Sequence, residues 1–164
     1  MPADATKIAR FCDLLTNNKA IKDFPGAENG LQHKGRAKVR KVGCAVDAGA
    51  KVFEMAAKRG IDFLIVHHGM RWPTISPLRE VRKLRVDTLK RTGLSLYSSH
   101  LPLDAHPIIG NNALIAADLG LRVVDWFVDF EGLPIACICQ GIPRSTLARR
   151  LKQSWKRRWT RCCK

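Results

Sequence analysis

Three apolar runs, at residues 39–46, 61–66 and 94–99, are separated by two stretches of helical period. That alternation leaves few folds open. Residues 61–66 are apolar apart from Asp62, as a strand covered on both faces would be. Between the runs, residues 49–59 carry Val52, Phe53, Met55 and Ala56 at near-helical spacing and stop at Gly60, a residue suited to ending a helix. Residues 78–92 read as an amphipathic helix rich in Arg and Lys. Strands alternating with helices predict βαβ units and an α/β fold, with a mainly parallel or mixed sheet flanked by helices. A further helix is predicted at 5–18, with Ile8, Phe11, Cys12, Leu14 and Leu15 on one face, and a short one at 111–119. Residues 22–37 read as loop, and strands at 123–130 and 133–139 flank a turn at Glu131 and Gly132.

Right-handed crossovers bring the C-terminal ends of parallel strands to one edge of the sheet, where open α/β sheets keep their sites. Asp47 follows the first run, His67 and His68 the second, His100 and Asp104 the third. Imidazole and carboxylate are the ligand set of hydrolytic metal sites. Successive strand residues point to opposite faces, so both His67 and His68 reach one crevice only if the strand has already ended. Gly69 supplies freedom for such a bend. The plainer reading is that His67 and His68 bond backbone carbonyls and that Asp104 caps a helix beginning near Ile108. Asp47 reads as the cap of the 49–59 helix, or as support for a ligand. Trp72 reads as a pocket wall, Asn112 as a helix start or a group orienting substrate, and His33 and His106 as solvated.

With 164 residues the chain is long enough for one domain with a real core. No run approaches the ~20 apolar residues of a membrane span, and residues 1–7 lack the order of a signal peptide. The cytoplasm is the expected compartment. None of the six cysteines forms a C-x2-C pair, so a zinc ribbon is not expected; Cys44 and Cys137 read as buried thiols. The net charge of +15 is uneven: residues 144–164 hold nine Lys and Arg and no acid. From Leu151 onward this basic tail, with Trp155 and Trp159 among its cations, lacks a clean apolar period. It reads as disordered, or as the product of a reading frame lost near residue 150. A tail of this kind binds nucleic acid without sequence preference.

Several pieces together resemble one family. They are Glu28-Asn29-Gly30-Leu31-Gln32, Val46-Asp47-Ala48, residues 62–69 ending in His67-His68-Gly69, Trp72, residues 95–104 containing His100-Leu101-Pro102-Leu103-Asp104, and Gly110-Asn111-Asn112. In this order they are similar to the Nif-three-like proteins, also described as dinuclear metal centre hexameric proteins or GTP cyclohydrolase I type 2 homologues. The resemblance covers roughly residues 5–143, and residues 1–143 are expected to form the α/β domain. It implies metal ligands at His67, His68, His100 and Asp104, with Asp47, Asn29, Trp72 and Asn112 supporting them or contacting substrate. It also implies divalent zinc, iron, manganese or nickel, a homohexamer, and a metal-dependent hydrolase acting on a small molecule or nucleotide. Family members add a His and a Glu near the C-terminus, whereas no acid here lies beyond Glu131. The expectation is therefore one well-held ion, a weak second, and poor catalysis. A scaffold or regulatory role without turnover, or nucleic-acid binding through the tail, are the competing expectations.

Overall fold

The computed structural model describes residues 1–71, 79–130 and 133–162, with side chains omitted at 133 and 158–162. The chain divides into two compact units, Met1–Leu103 and Asp104–Lys164.

The first unit is a four-stranded mixed sheet covered on both faces. Its strands are β2 (Gly30–His33), β4 (Val42–Asp47), β5 (Phe63–His68) and β6 (Ser95–Ser98), in the order β2-β6-β5-β4. The pairs β4–β5 and β5–β6 are parallel, and β2 runs antiparallel to β6 on the edge. Helix α2 (Ala50–Lys58) links β4 to β5, and α3 (Arg79–Thr92) precedes β6. These are the βαβ crossovers that the alternation predicts. Side chains alternate between faces along β5 and β6, and the core divides accordingly. Leu64, Val66 and Leu96 pack with Phe53 and Ala56 of α2 and Leu89 of α3. Phe63 and Tyr97 point the other way, against Ala5 and Ala9 of α1 (Ala5–Leu15) and Val39.

Asp4 caps α1, accepting hydrogen bonds from the backbone N–H of Thr6 (2.8 Å) and Lys7 (3.2 Å). The buried stripe of α1 is Ala5 and Ala9, flanked by Ile8 and Cys12. The expected apolar face lies one residue too far round, since Phe11 and Leu14 are exposed. Small residues make the contact because the helix lies close on the sheet. The loop expected at 22–37 contains β2. Two short strands, β1 (Ala3–Asp4) and β3 (Lys38–Val39), pair with each other, so the first apolar run is split between β3 and β4. Cys44, expected to be buried, is exposed, because β4 is an edge strand whose Val42 and Val46 are also open.

In the second unit, β7 (Val123–Phe130) and β8 (Leu133–Cys139) form an antiparallel hairpin of their own, beside α5 (Asn111–Asp118). Their connecting turn at Glu131 and Gly132 lies outside the described residues. Cys137, expected to be buried, is half-buried on β8. The stretch read as a basic tail is helical as α6 (Arg144–Cys162). Polar groups anchor it: the Arg150 guanidinium donates to the carbonyls of Leu119 (2.9 Å) and Gly120 (2.8 Å) at the end of α5, and the Ser154 hydroxyl bonds the Asp118 carboxylate. A cation at a helix C-terminus is favourable. An anchor built from such groups leaves no apolar period to read in the sequence. Among the described residues, no helix is long and apolar enough to cross a membrane.

Candidate metal centre

The parallel register places Asp47 of β4 beside His68 at the end of β5. On the other side of β5 the ladder to β6 ends with Val66 beside Ser98. His67 and His68 are thus both still in β5, and the strand does not end before them as expected. They sit where pairing persists on one side only, and their ring centroids are 4.8 Å apart. Gly69 does not supply a left-handed bend, as its φ is not positive. It supplies space instead: a Cβ there would lie 2.2 Å from Nε2 of Gln32. Gln32 is itself held, accepting from the Met70 N–H (2.7 Å) and donating to the Glu28 carbonyl (2.7 Å).

His100 follows β6. Its ring centroid is 4.8 Å from that of His67 and 5.6 Å from that of His68. One ligand-type atom from each of the three histidines lies within 4.8 Å of the others. Three imidazole nitrogens this close to one another could together hold one first-row ion.

Each imidazole is oriented through Nδ1. His67 Nδ1 lies 3.0 Å from the Ser99 carbonyl, His68 Nδ1 2.7 Å from Asp47 Oδ1, and His100 Nδ1 2.9 and 3.1 Å from the two Asp23 oxygens. Carbonyl and carboxylate oxygens only accept, so Nδ1 carries the proton in all three rings. Nε2 then carries the lone pair that a cation needs. Outer acceptors fixing the tautomer of each imidazole are the usual surroundings of metal-binding histidine. The residues present therefore fit a divalent ion.

The two carboxylates differ in setting. Asp23 and His100 are nearly inaccessible, with side chains 3% and 10% exposed, whereas Asp47 and His68 are 71% and 42% exposed. Burial alone would raise the Asp23 carboxyl. Hydrogen bonds from His100, from the Asn29 amide and from the N–H groups of Phe24 and Leu101 outweigh it and hold the carboxyl down at about 2. Asn29 ties this group together: its Nδ2 donates to Asp23 (2.8 Å) and its Oδ1 accepts the His100 N–H (2.7 Å). The pairing of Gly30 with Ser98 brings Asn29 alongside His100. Phe24 lies against the His100 ring, with centroids 5.9 Å apart.

Asp47 does not cap α2. The cap position is Gly49, with no side-chain cap hydrogen bond among the described residues. A cavity of about 330 Å³ opens beside His68, with Asp47, Gly49, Met70 and Arg85 in its wall. Asp104 ends the short helix α4 (Leu101–Asp104) and belongs to the second unit, where it accepts a hydrogen bond from Asn111 (2.6 Å). The helix that follows starts at Asn111, with Gly110 in the cap position. Just before it, His106 Nδ1 accepts from the N–H groups of Ile108 (3.1 Å) and Ile109 (3.2 Å). Asn112 donates to the Ile135 carbonyl (2.7 Å), a contact within the second unit. Trp72 lies outside the described residues. Sequence reasoning missed Asp23, which sits 77 residues from its partner in a stretch read as loop.

The Duf34/NIF3 (NGG1p interacting factor 3) family profile matches residues 4–164. A protein named GTP cyclohydrolase 1 type 2 homolog from Archaeoglobus fulgidus is 40% identical over 129 residues, which is 79% of this chain and 52% of that protein. One of the same name from Escherichia coli K12 is 41% identical over 120 residues, 73% of this chain and 48% of the relative. The chain thus spans about half the length of the curated relatives it matches. Among solved structures, protein ybgI, described as of unknown function, superposes with a TM-score of 0.79 at 34% identity. TTHA1606 from Thermus thermophilus does so with a TM-score of 0.77 at 39% identity. Each superposition covers 92% of this chain and 60% of the other.

Proposed function

We propose that this chain, which belongs to the Duf34/NIF3 family, binds a divalent metal ion through His67, His68 and His100 and serves as a metal-dependent hydrolase. One observation carries the reading: three imidazoles converge, each with Nδ1 held by an acceptor. The bound ion would supply Lewis-acid polarisation of a carbonyl or phosphoryl oxygen. The chain's own residues do the rest. Asp23, Asp47 and the Ser99 carbonyl keep the three rings in one tautomer, and Asn29 holds the Asp23–His100 pair in register. Imidazole with nearby carboxylate suits zinc, iron, manganese or nickel. Asp104 is a further proposed ligand. A small molecule or nucleotide is the proposed substrate class, a homohexamer the proposed assembly, and the cytoplasm the proposed compartment.

The test is metal content. Protein purified without chelator should carry about one first-row ion per protomer by elemental mass spectrometry. Folded protein with a value near zero would overturn the proposal. Sedimentation velocity on the same preparation reads the assembly.

A second reading, nucleic-acid binding, has a specific observation behind it. Helix α6 exposes Arg144, Arg149, Lys152 and Lys156, together with Trp155. Cations neutralise phosphates and an exposed indole stacks on bases. Replacing Lys152, Trp155 and Lys156 by Ala together should weaken binding to single-stranded oligonucleotide at least tenfold and flatten its salt dependence. Binding that keeps both its affinity and its salt slope would end this reading.

A further inference from the structure

We infer that the cavity beside His68 is a subsite for a phosphate group, carried by the molecule that reacts at the histidine cluster and anchored by Arg85; the inference rests on the hydrolase reading above. Arg85 lies on α3, is half-buried, and lines the cavity with Asp47, Gly49, His68 and Met70. Three arginines of this unit pair with acids, Arg71 with Glu28, Arg91 with Glu54 and Arg36 with Asp62, and those without an acid partner, such as Arg10, Arg40, Arg59 and Arg82, are exposed to water. Among the described residues, Arg85 makes no hydrogen bond and no ion pair. A partly desolvated guanidinium without a counter-charge is unfavourable. A fold that keeps one at a cavity wall is suited to an anion arriving from solution.

The rest of the wall agrees. Among the described lining residues Asp47 is the one acid, and it already accepts the His68 Nδ1–H at 2.7 Å, so its carboxylate is directed at the imidazole. Ala48, Gly49 and Gly69 bring no long side chain, which leaves room for a tetrahedral group. Met70 adds an apolar surface for the organic part of the ligand. Guanidinium offers paired N–H donors that match two phosphate oxygens. Because His68 is shared between cavity and cluster, a molecule held by Arg85 extends directly to the proposed metal site. The substrate class is thereby narrowed to small phosphorylated molecules, a nucleotide being one kind.

The experiment is isothermal titration calorimetry of the full chain with inorganic phosphate, and separately with acetate, in a buffer free of both. Metal content is measured on every sample. Wild-type protein should bind phosphate, and Arg85→Gln should weaken it at least tenfold while keeping its metal. Arg85→Lys should fall between the two, since it keeps the charge and loses the fork; it also serves if the Gln variant does not fold. Equal phosphate affinity in wild type and Arg85→Gln overturns the subsite. So does phosphate binding that is lost with His68→Ala but kept in Arg85→Gln, which places the anion on the metal. Acetate binding as tightly as phosphate, with the same dependence on Arg85, overturns the assignment to phosphate. Phosphate binding that depends on Arg85 in protein holding no metal supports the subsite and defeats the hydrolase reading alone.

Discussion

His68→Ala and His100→Ala are each expected to cut bound metal to below about a tenth of the wild-type level, measured by elemental mass spectrometry after identical purification. Among the described residues, the three imidazoles are the one group of three or more metal-ligating side chains close enough to hold an ion together, with their ligand atoms within 4.8 Å of one another. Removing either ring leaves two nitrogen donors. With one nitrogen donor gone, the proposed Asp104 carboxylate does not restore a closed set, and an incompletely held ion exchanges readily into buffer. His33→Ala is the control: His33 lies on β2, outside the cluster, and its removal should leave metal content unchanged. Circular dichroism separates loss of the ion from loss of the fold. Metal content that survives both substitutions in folded protein would show that the ion sits elsewhere and would end the proposed function.

Much of this centre is legible in the sequence, for a physical reason. Parallel strands joined by helices end at the same edge, so residues just after apolar runs are neighbours although far apart in sequence. That rule locates Asp47, His67, His68 and His100. It works because side-chain period and strand length are local properties of the chain. Asp23 obeys no such rule. It lies in an irregular stretch before β2, and its place beside His100 depends on an antiparallel pairing, Gly30 with Ser98, that nothing local specifies. The role of Gly69 escapes the sequence for a similar reason: its backbone is ordinary, and only the close approach of Gln32 requires a glycine. Exposure of Cys44 depends on which strand ends up at the edge. Helix α6 is hidden because Arg150 and Ser154 hold it by polar contacts to α5.

Asp23→Asn is expected to lower metal affinity by about 10–100-fold and, in metal-free protein, to cost about 1–3 kcal/mol of stability. The carboxylate is almost fully enclosed and accepts from four donors: His100 Nδ1, Asn29 Nδ2, and the N–H groups of Phe24 and Leu101. An amide of the same shape has one accepting oxygen, and its NH2 must meet donors that it cannot satisfy. His100 can relieve the conflict by moving its proton to Nε2, which places an N–H where the cation should bind. The matching change on the exposed side, Asp47→Asn, should do less. That pair is open to water, which screens its electrostatics and can replace the lost acceptor. Metal competition titrations against a chromophoric chelator give the affinities, and chemical unfolding in excess chelator gives the stabilities. If Asp23→Asn matches wild type in both, the buried carboxylate does not orient His100, and the centre owes its geometry to the three rings alone.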